Sequence, residues 1–164
     1  MKDKLLVTLF IDSSIKDGVV GFGYWFKFNN KSTTGGDVIW MPEGLENKTH
    51  LAEFMGITSS VSVVERTLKQ PFDLLIQCDC LPALQLMKGL GAAFAKTSKL
   101  QGKGIQPPRS MREYSSLFYK AKKGNLESVW LKHVKGHGSG KSSRSYVNIV
   151  TDNIARKFRS KVVK

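Results

Sequence analysis

The chain has 164 residues, 41% hydrophobic and 24% charged, so it can bury one substantial core as a single domain. Its 26 Lys and Arg residues against 13 Asp and Glu residues give a formal net charge of +13. That exceeds what solubility requires and favours a polyanionic partner, above all nucleic acid. No basic amphipathic segment or lipidation motif points to a membrane.

The amino-terminal residues and the cysteines bear on cellular location. Residues 1–4 precede a short apolar run that is interrupted by Asp12, too short for a signal peptide, and no run approaches a membrane span. Cys78 and Cys80 lie two residues apart in an expected strand, which suits a disulfide poorly and favours reduced thiols. We therefore expect an intracellular, cytoplasmic protein.

The first part of the chain predicts two antiparallel strands. Residues 5–12 form a nearly continuous apolar run ending in Asp12, as expected of a buried strand that carries a carboxylate at its end. Taken alone, Asp12 could equally start a turn with the two serines that follow. Residues 19–28 are aromatic and β-branched, and Gly21 and Gly23 within them indicate a bulge or the close approach of another segment.

The rest of the chain alternates helices and strands. The predicted elements are a strand at 37–41, a helix at 49–70, a strand at 72–79, helices at 81–94 and 111–123, a strand at 127–134 and a helix at 147–161. Residues 95–112 form a basic, poorly periodic insertion. This order predicts an α/β fold with a mixed five-stranded sheet, three strands antiparallel and two parallel, and helices on both faces.

Four carboxylates fall near the ends of these elements. Asp12 and Asp79 each end a strand, Glu53 lies close to the start of the first helix, and Asp152 lies in the first turns of the last helix. Singly, each is most simply a solvated or capping group. Together, like charges at one edge are costly unless cations separate them, so the set predicts divalent metal ions with oxygen ligands.

The same residues give the chain a resemblance to type 1 ribonucleases H over nearly its whole length and in that family's order. The matching segments are Phe10-Ile11-Asp12-Ser13-Ser14 with Gly21-Phe22-Gly23, then Lys48-Thr49-His50-Leu51-Ala52-Glu53, then Ile76-Gln77-Cys78-Asp79-Cys80, and finally Trp130 with Val134-Lys135-Gly136-His137 and Asn148-Ile149-Val150-Thr151-Asp152-Asn153-Ile154-Ala155. The last segment is the most specific of the four.

The resemblance implies an endonuclease that hydrolyses the RNA strand of RNA/DNA hybrids with two Mg²⁺ ions, for which Mn²⁺ can substitute, leaving 5′-phosphate and 3′-hydroxyl ends. Asp12 would bridge both metals and Asp152 would complete the site that activates the attacking water. Glu53 and Asp79 would hold the metal beside the leaving 3′-oxygen. His137 would assist turnover or product release.

The resemblance also implies contacts with the hybrid. They are Ser13, Ser14, Thr49, His50, Cys80 and Asn148 near the metals, and Lys96, Lys99 and Lys103 in a basic handle that grips the DNA strand. At several of these positions the chain departs from the family: Ser13 replaces a glycine, Cys80 a serine, and Thr49 and His50 asparagines, while Ile149 replaces a glutamate. These departures bear on how strictly RNA is told from DNA. The insertion could instead be an ordinary surface loop.

Three other interpretations are open to the sequence. The same fold could act on structured DNA as a junction resolvase does, although such proteins lack the Val-Lys-Gly-His motif. The chain could be a non-catalytic hybrid-binding module, which the presence of all four carboxylates disfavours. A zinc site of Cys78, Cys80, His133 and His137 fails because one residue between the cysteines is too few. Nothing in the sequence requires more than a monomer.

Overall fold

The computed structural model of the protein describes residues 4–95, 104–134 and 143–160, with the backbone alone described for 143–150. The strands are β1 (Leu5–Lys16), β2 (Val19–Phe28), β3 (Lys31–Trp40), β4 (Phe72–Cys78), β5 (Ala93–Phe94) and β6 (Leu126–His133). The helices are α1 (Thr49–Leu68), α2 (Leu81–Gly89), α3 (Arg112–Lys123) and α4 (Ser143–Ser160), with a 3₁₀ turn at Arg109–Met111.

The sheet is mixed, as predicted, with the strand order β3-β2-β1-β4-β6-β5. β1, β2 and β3 pair antiparallel, whereas β4 is parallel to both β1 and β6. The predicted count of five strands is wrong by one. The sixth strand, β5, has two residues and pairs parallel with the outer side of β6, too short a segment to leave a periodic signal in the sequence.

Two tight turns extend the antiparallel strands beyond their predicted bounds. Asp17 and Gly18 both have positive φ, as do Asn29 and Asn30, which is the backbone of the two-residue turns that favour hairpins. β1 consequently continues to Lys16, so Asp12 lies inside the hairpin and the strand does not end there. β3 begins at residue 31, because its polar first half pairs with β2 on an exposed edge where no apolar pattern is needed.

Helices cover both faces of the sheet, as predicted. Because side chains alternate along a strand, Phe22 faces α1 while its neighbours Gly21 and Gly23 face α4. A Cβ at Gly21 would lie 2.0 Å from the Ala155 carbonyl oxygen, so the bare backbone of β2 is what allows α4 to approach. The β1–β2 register is continuous through both glycines, which makes close approach, rather than a bulge, their role.

The helix predicted at 81–94 is shorter in the structure. α2 ends at Gly89, and Gly91 then takes a φ of +115°, which turns the chain towards β5. The end of the basic insertion packs on the second half of α2: the Ile105 amide donates to the Gln85 carbonyl and the Gln106 side chain donates to the Gly89 carbonyl. The last helix starts at 143, earlier than predicted.

One large core lies between the sheet and the helices of the α1 side. Its largest fully buried side chains include Phe26 of β2, Phe54 of α1, Phe72 of β4 and Phe118 of α3. Within the described part of the chain, no helix combines the length and the apolar character needed to cross a membrane.

The approach of α4 to β2 gives a first prediction. In Gly23→Ala the new Cβ would lie 2.5 Å from the Thr151 carbonyl oxygen and 2.8 Å from Ile154 Cβ, so α4 must move. We expect a loss of about 1–3 kcal/mol in the free energy of unfolding, measured by urea denaturation. Gly124→Ala is the control, because its Cβ would meet chiefly the end of the flexible Glu65 side chain. Equal losses in both variants would contradict the close packing of α4.

Candidate active site

The parallel pairing of β1 with β4 brings two of the predicted carboxylates together. The last pair of this ladder is Phe10 with Gln77, and the same register continued by two residues places Asp12 level with Asp79. Beyond this point β1 is paired with β2 alone, so the edge opens where the two aspartates lie. This is the carboxyl end of the parallel strands, where open α/β sheets bind ligands.

Helix α1 adds Glu53 from the opposite side of the sheet to α4. Its side chain is only 4% exposed. The Ser13 amide donates to Glu53 Oε1 at 3.1 Å and to Asp12 Oδ1 at 3.0 Å, so a single N–H joins the two carboxyl groups. The two carboxyl groups are close enough for each to affect the pKa of the other.

Helix α4 supplies the fourth carboxylate. Asp152 is more exposed, at 38% of its side-chain surface, and its Oδ2 lies 3.2 Å from Nε of Arg156 one turn further along the helix. It is nevertheless close enough to Asp12 for its charge to raise the pKa of that residue. Two strands and two helices therefore direct all four predicted acidic side chains to one end of the sheet.

The grouping changes how readily these acids ionise. Burial is the largest cause that raises the pKa of Asp12 from 3.8 to about 7, followed by the charges of Asp79 and Asp152. Burial likewise raises the pKa of Glu53 well above its usual range, with Asp12 and Asp79 adding to the effect. Burial and the neighbouring charges therefore both favour the protonated forms of Asp12 and Glu53 when no cation is bound.

A buried thiol lies under the cluster. Cys78 Sγ is 3.9 Å from Glu53 Oε2 and accepts a hydrogen bond of 3.4 Å from the Cys80 amide. The ligand atoms of Glu53, Cys78 and Asp79 all lie within 4.8 Å of one another. Burial raises the pKa of Cys78 well above its usual range and that of Cys80 to about 11, so both remain neutral thiols.

The donor set fits a hard divalent cation. Asp12, Glu53, Asp79 and Asp152 offer carboxylate oxygens, which Mg²⁺ and Mn²⁺ prefer. Burial, and after it repulsion between the acids, raises the pKa values of Asp12 and Glu53, and a cation would relieve the repulsion. Sulfur is a soft ligand, which such hard ions disfavour relative to carboxylate oxygen. The four carboxylates are therefore the residues able to hold the metal.

The predicted substrate-binding residues near this end of the sheet differ in their burial and in their hydrogen bonds. Ser13 offers its amide to the carboxylates, while its Oγ is buried beside Gly56 and has no hydrogen-bond partner in the described segments. Ser14 Oγ accepts a bond of 2.7 Å from Nη1 of Arg159. Cys80 is half-buried at the start of α2.

The start of α1 borders an open groove. Thr49, the first residue of α1, is exposed, and His50 is half-buried. The groove has a volume of about 430 Å³ and a mostly apolar lining, formed by His50, Leu51, Pro82, Leu86, Ile105, Gln106 and Pro108. His137, Lys96, Lys99, Lys103 and the side chain of Asn148 lie outside the described residues, and their predicted roles stay predictions.

Three contacts of the site were not predicted from sequence. Arg156 bonds Asp152, and the spacing of four residues on a helix is a signal that could have revealed it. Arg159 bonds Ser14, and His133 Nε2 lies 2.9 Å from the carbonyl oxygen of Asp79. The last two contacts join residues that are far apart in the sequence, so no local pattern predicts them.

No protein-family model and no curated protein sequence matches the chain. Solved structures do. The ribonuclease H1 LC11 in complex with an RNA/DNA hybrid is 12% identical, with 96% of this chain and 99% of that chain covered at a TM-score of 0.64. Ribonuclease H1 from the archaeon Halobacterium salinarum is 13% identical, with 96% and 99% covered at 0.61. The foamy viral protease-reverse transcriptase in complex with double-stranded DNA is 12% identical, with 96% and 95% covered at 0.54.

These structures define the class of protein: the chain has a ribonuclease H-like fold over almost its whole length. The fold expected from the sequence resemblance is thereby confirmed. At 12–13% identity the likeness establishes the fold, and the activity has to be argued from the site itself.

The raised pKa of Asp12 predicts how stability depends on pH in the metal-free protein. Between pH 3.8 and about 7 the folded state keeps a proton that the unfolded state has lost, so stability falls as pH rises across this window. We expect Asp12→Asn to remove part of this fall, on the order of 1–2 kcal/mol, in urea unfolding at a series of pH values with EDTA.

Added Mg²⁺ should restore the wild-type stability at the upper end of the window and have less effect on Asp12→Asn. A pH profile identical in the two proteins would show that Asp12 is not held protonated by its neighbours.

Proposed function

We propose that the protein is a divalent-metal-dependent endonuclease that hydrolyses the RNA strand of RNA/DNA hybrids and leaves 5′-phosphate and 3′-hydroxyl ends. The convergence of four carboxylates on one end of a ribonuclease H-like sheet is the observation that carries the proposal. The net charge of +13 supports a nucleic-acid substrate, since so basic a surface concentrates polyanions.

Asp12, Glu53, Asp79 and Asp152 would hold two Mg²⁺ ions, or Mn²⁺ in their place. When bound, such ions activate a water molecule and stabilise the departing oxygen of the phosphodiester. The chain itself contributes rigidity: the Ser13 amide fixes Asp12 and Glu53 relative to each other, and α4 presents Asp152 from its packed position on β2. Burial of Glu53 limits competing water at this side of the cluster.

Substrate binding is proposed along the same end of the sheet. Thr49 and His50 at the start of α1 have side chains that can hydrogen-bond a 2′-hydroxyl, the group by which a protein distinguishes RNA from DNA. Ser13, Ser14, Cys80 and Asn148 complete the proposed contacts near the metals, and Lys96, Lys99 and Lys103 would neutralise phosphates of the DNA strand. His137 would assist product release.

All four carboxylates belong to one chain, so the proposal requires no second copy, and we treat the protein as a monomer. Cys78 and Cys80 are free thiols, which supports the proposed intracellular, cytoplasmic setting.

The test is to present one sequence as hybrid, double-stranded RNA, double-stranded DNA and a four-way junction, each with Mg²⁺ or Mn²⁺. We expect cleavage of the RNA strand of the hybrid alone. Asp79→Asn should lower the rate by more than about 100-fold, because losing even an outer partner of a metal ligand costs 10–100-fold. Asp73→Asn, at the other end of β4, is the matched control and should retain activity.

Four results would count against the proposal. Equal cleavage of duplex DNA, or activity that survives Asp79→Asn, would contradict it. Cleavage confined to the four-way junction would support the junction-resolvase interpretation. Binding of the hybrid without cleavage in either metal would support a non-catalytic binding module.

The basic handle makes a separate prediction about salt dependence. Replacing Lys96, Lys99 and Lys103 together by Gln should reduce the slope of log Kd against log salt by about 2, if each lysine neutralises one phosphate. Replacing Lys120, Lys122 and Lys123 at the end of α3 removes the same charge elsewhere and is the control. Equal changes of slope would mean that only the net charge of the protein matters.

A further inference from the structure

His133 and Asp79 are joined by a hydrogen bond between neighbouring strands. Nε2 of His133 lies 2.9 Å from the main-chain carbonyl oxygen of Asp79. A carbonyl oxygen can only accept, so Nε2 must carry a hydrogen and donate it. The contact is therefore made to the main chain of one of the four carboxylate residues and does not involve the carboxylate itself.

The bond lies where the regular backbone pairing ends. The last pair of the β4–β6 ladder is Cys78 with His133, and the Val134 amide donates to the Cys78 carbonyl at 3.0 Å. Asp79 follows immediately and Cys80 already precedes the first turn of α2. Asp79 is thus the first of the two residues between β4 and α2, and it lies past the last pair of the β4–β6 ladder.

The direction of the Asp79 carboxylate depends on this backbone position. Orienting the Asp79 carbonyl fixes the peptide plane between Asp79 and Cys80, and with it the ψ angle of Asp79. Cβ and the carbonyl carbon of Asp79 are both bonded to Cα and the side chain is short, so a shift of this peptide that moves Cα also moves the carboxylate oxygens. A rigid imidazole on the paired strand is well suited to prevent that shift.

We propose that His133 is a positioning residue for the metal site: its Nε2–H holds the main chain of Asp79 so that the carboxylate stays directed at Asp12 and Glu53. This inference rests on the proposed metal-dependent function. It assigns a role to a side chain that the sequence offered only as a zinc ligand, and that role requires no contact with metal or substrate. Loss of the bond should weaken metal binding by 10–100-fold, as is usual for groups that orient a ligand.

The experiment is a calorimetric titration of the metal-free protein with Mn²⁺. His133→Phe keeps a ring and removes the donor, and we expect its Mn²⁺ affinity to fall at least 10-fold. His133→Gln offers a side-chain amide nitrogen at a similar reach and should recover most of the affinity. In cleavage assays, His133→Phe should need more Mg²⁺ for half-maximal rate, with kcat at saturating Mg²⁺ close to that of the wild type.

The chain offers a matched control at the opposite end of the same two strands. There the Ser128 amide of β6 donates to Asp73 Oδ1 of β4 at 3.1 Å. Asp73→Ala removes this bond and should lower the unfolding temperature without changing Mn²⁺ affinity. If His133→Phe does not fold, His133→Asn replaces it, because its side chain is too short to reach the Asp79 carbonyl.

The outcomes separate the two proposals. Unchanged Mn²⁺ affinity in His133→Phe, or a loss that Asp73→Ala and His133→Gln share equally, overturns the positioning role. A wild type that binds Mn²⁺ but cuts no hybrid overturns the proposed function and leaves the positioning role to be judged by calorimetry. A wild type that binds no Mn²⁺ overturns both.

Discussion

The parallel pairing of β1 with β4 is the constraint on which the site depends. Its register places Asp12 level with Asp79, and it ends two residues earlier, so the two aspartates lie past the end of the β1–β4 ladder while Asp12 stays paired with β2. Every other part of the site is arranged around that end of the ladder. α1 crosses one face and supplies Glu53, α4 crosses the other and supplies Asp152, and β6 supports the end of β4 through His133 and Val134.

This arrangement concentrates charge that the fold must tolerate. Burial and mutual repulsion raise the pKa values of Asp12 and Glu53, so the metal-free cluster stores an unfavourable interaction at neutral pH. The apolar core beneath it, which includes Phe54 and Phe72, supplies the stability that offsets the cost. Such a cluster lowers the stability of the metal-free protein, and bound cations would remove that cost. Its electrostatics therefore support the proposed metal-dependent chemistry.

Backbone contacts and close packing both contribute to the geometry of the carboxylates. One amide, that of Ser13, bonds both Asp12 and Glu53, and the carbonyl of Asp79 is held by His133. Asp152 depends on how deeply α4 approaches the sheet, and that depth is fixed by Gly21 and Gly23, which leave no side chain between helix and strand. Substitutions at these positions are therefore expected to change the geometry of the carboxylates, although the acidic residues themselves are unchanged.

The sequence by itself determined most of the helices and strands, because apolar runs, hairpin glycines and helical periodicity are local signals. It also identified the candidate metal ligands, because an acidic residue at the end of an apolar run is easily recognised. Asp12, Glu53, Asp79 and Asp152 could be named from it, together with the mixed sheet. Local signals do not predict the polar first half of β3 or the two-residue β5, because only strand pairing determines them. They also do not predict the end of α2 at Gly89. Only the tertiary structure could decide that His133 bonds Asp79 and that Arg159 bonds Ser14, because these contacts depend on strand register and helix depth, which segments distant in the chain fix together.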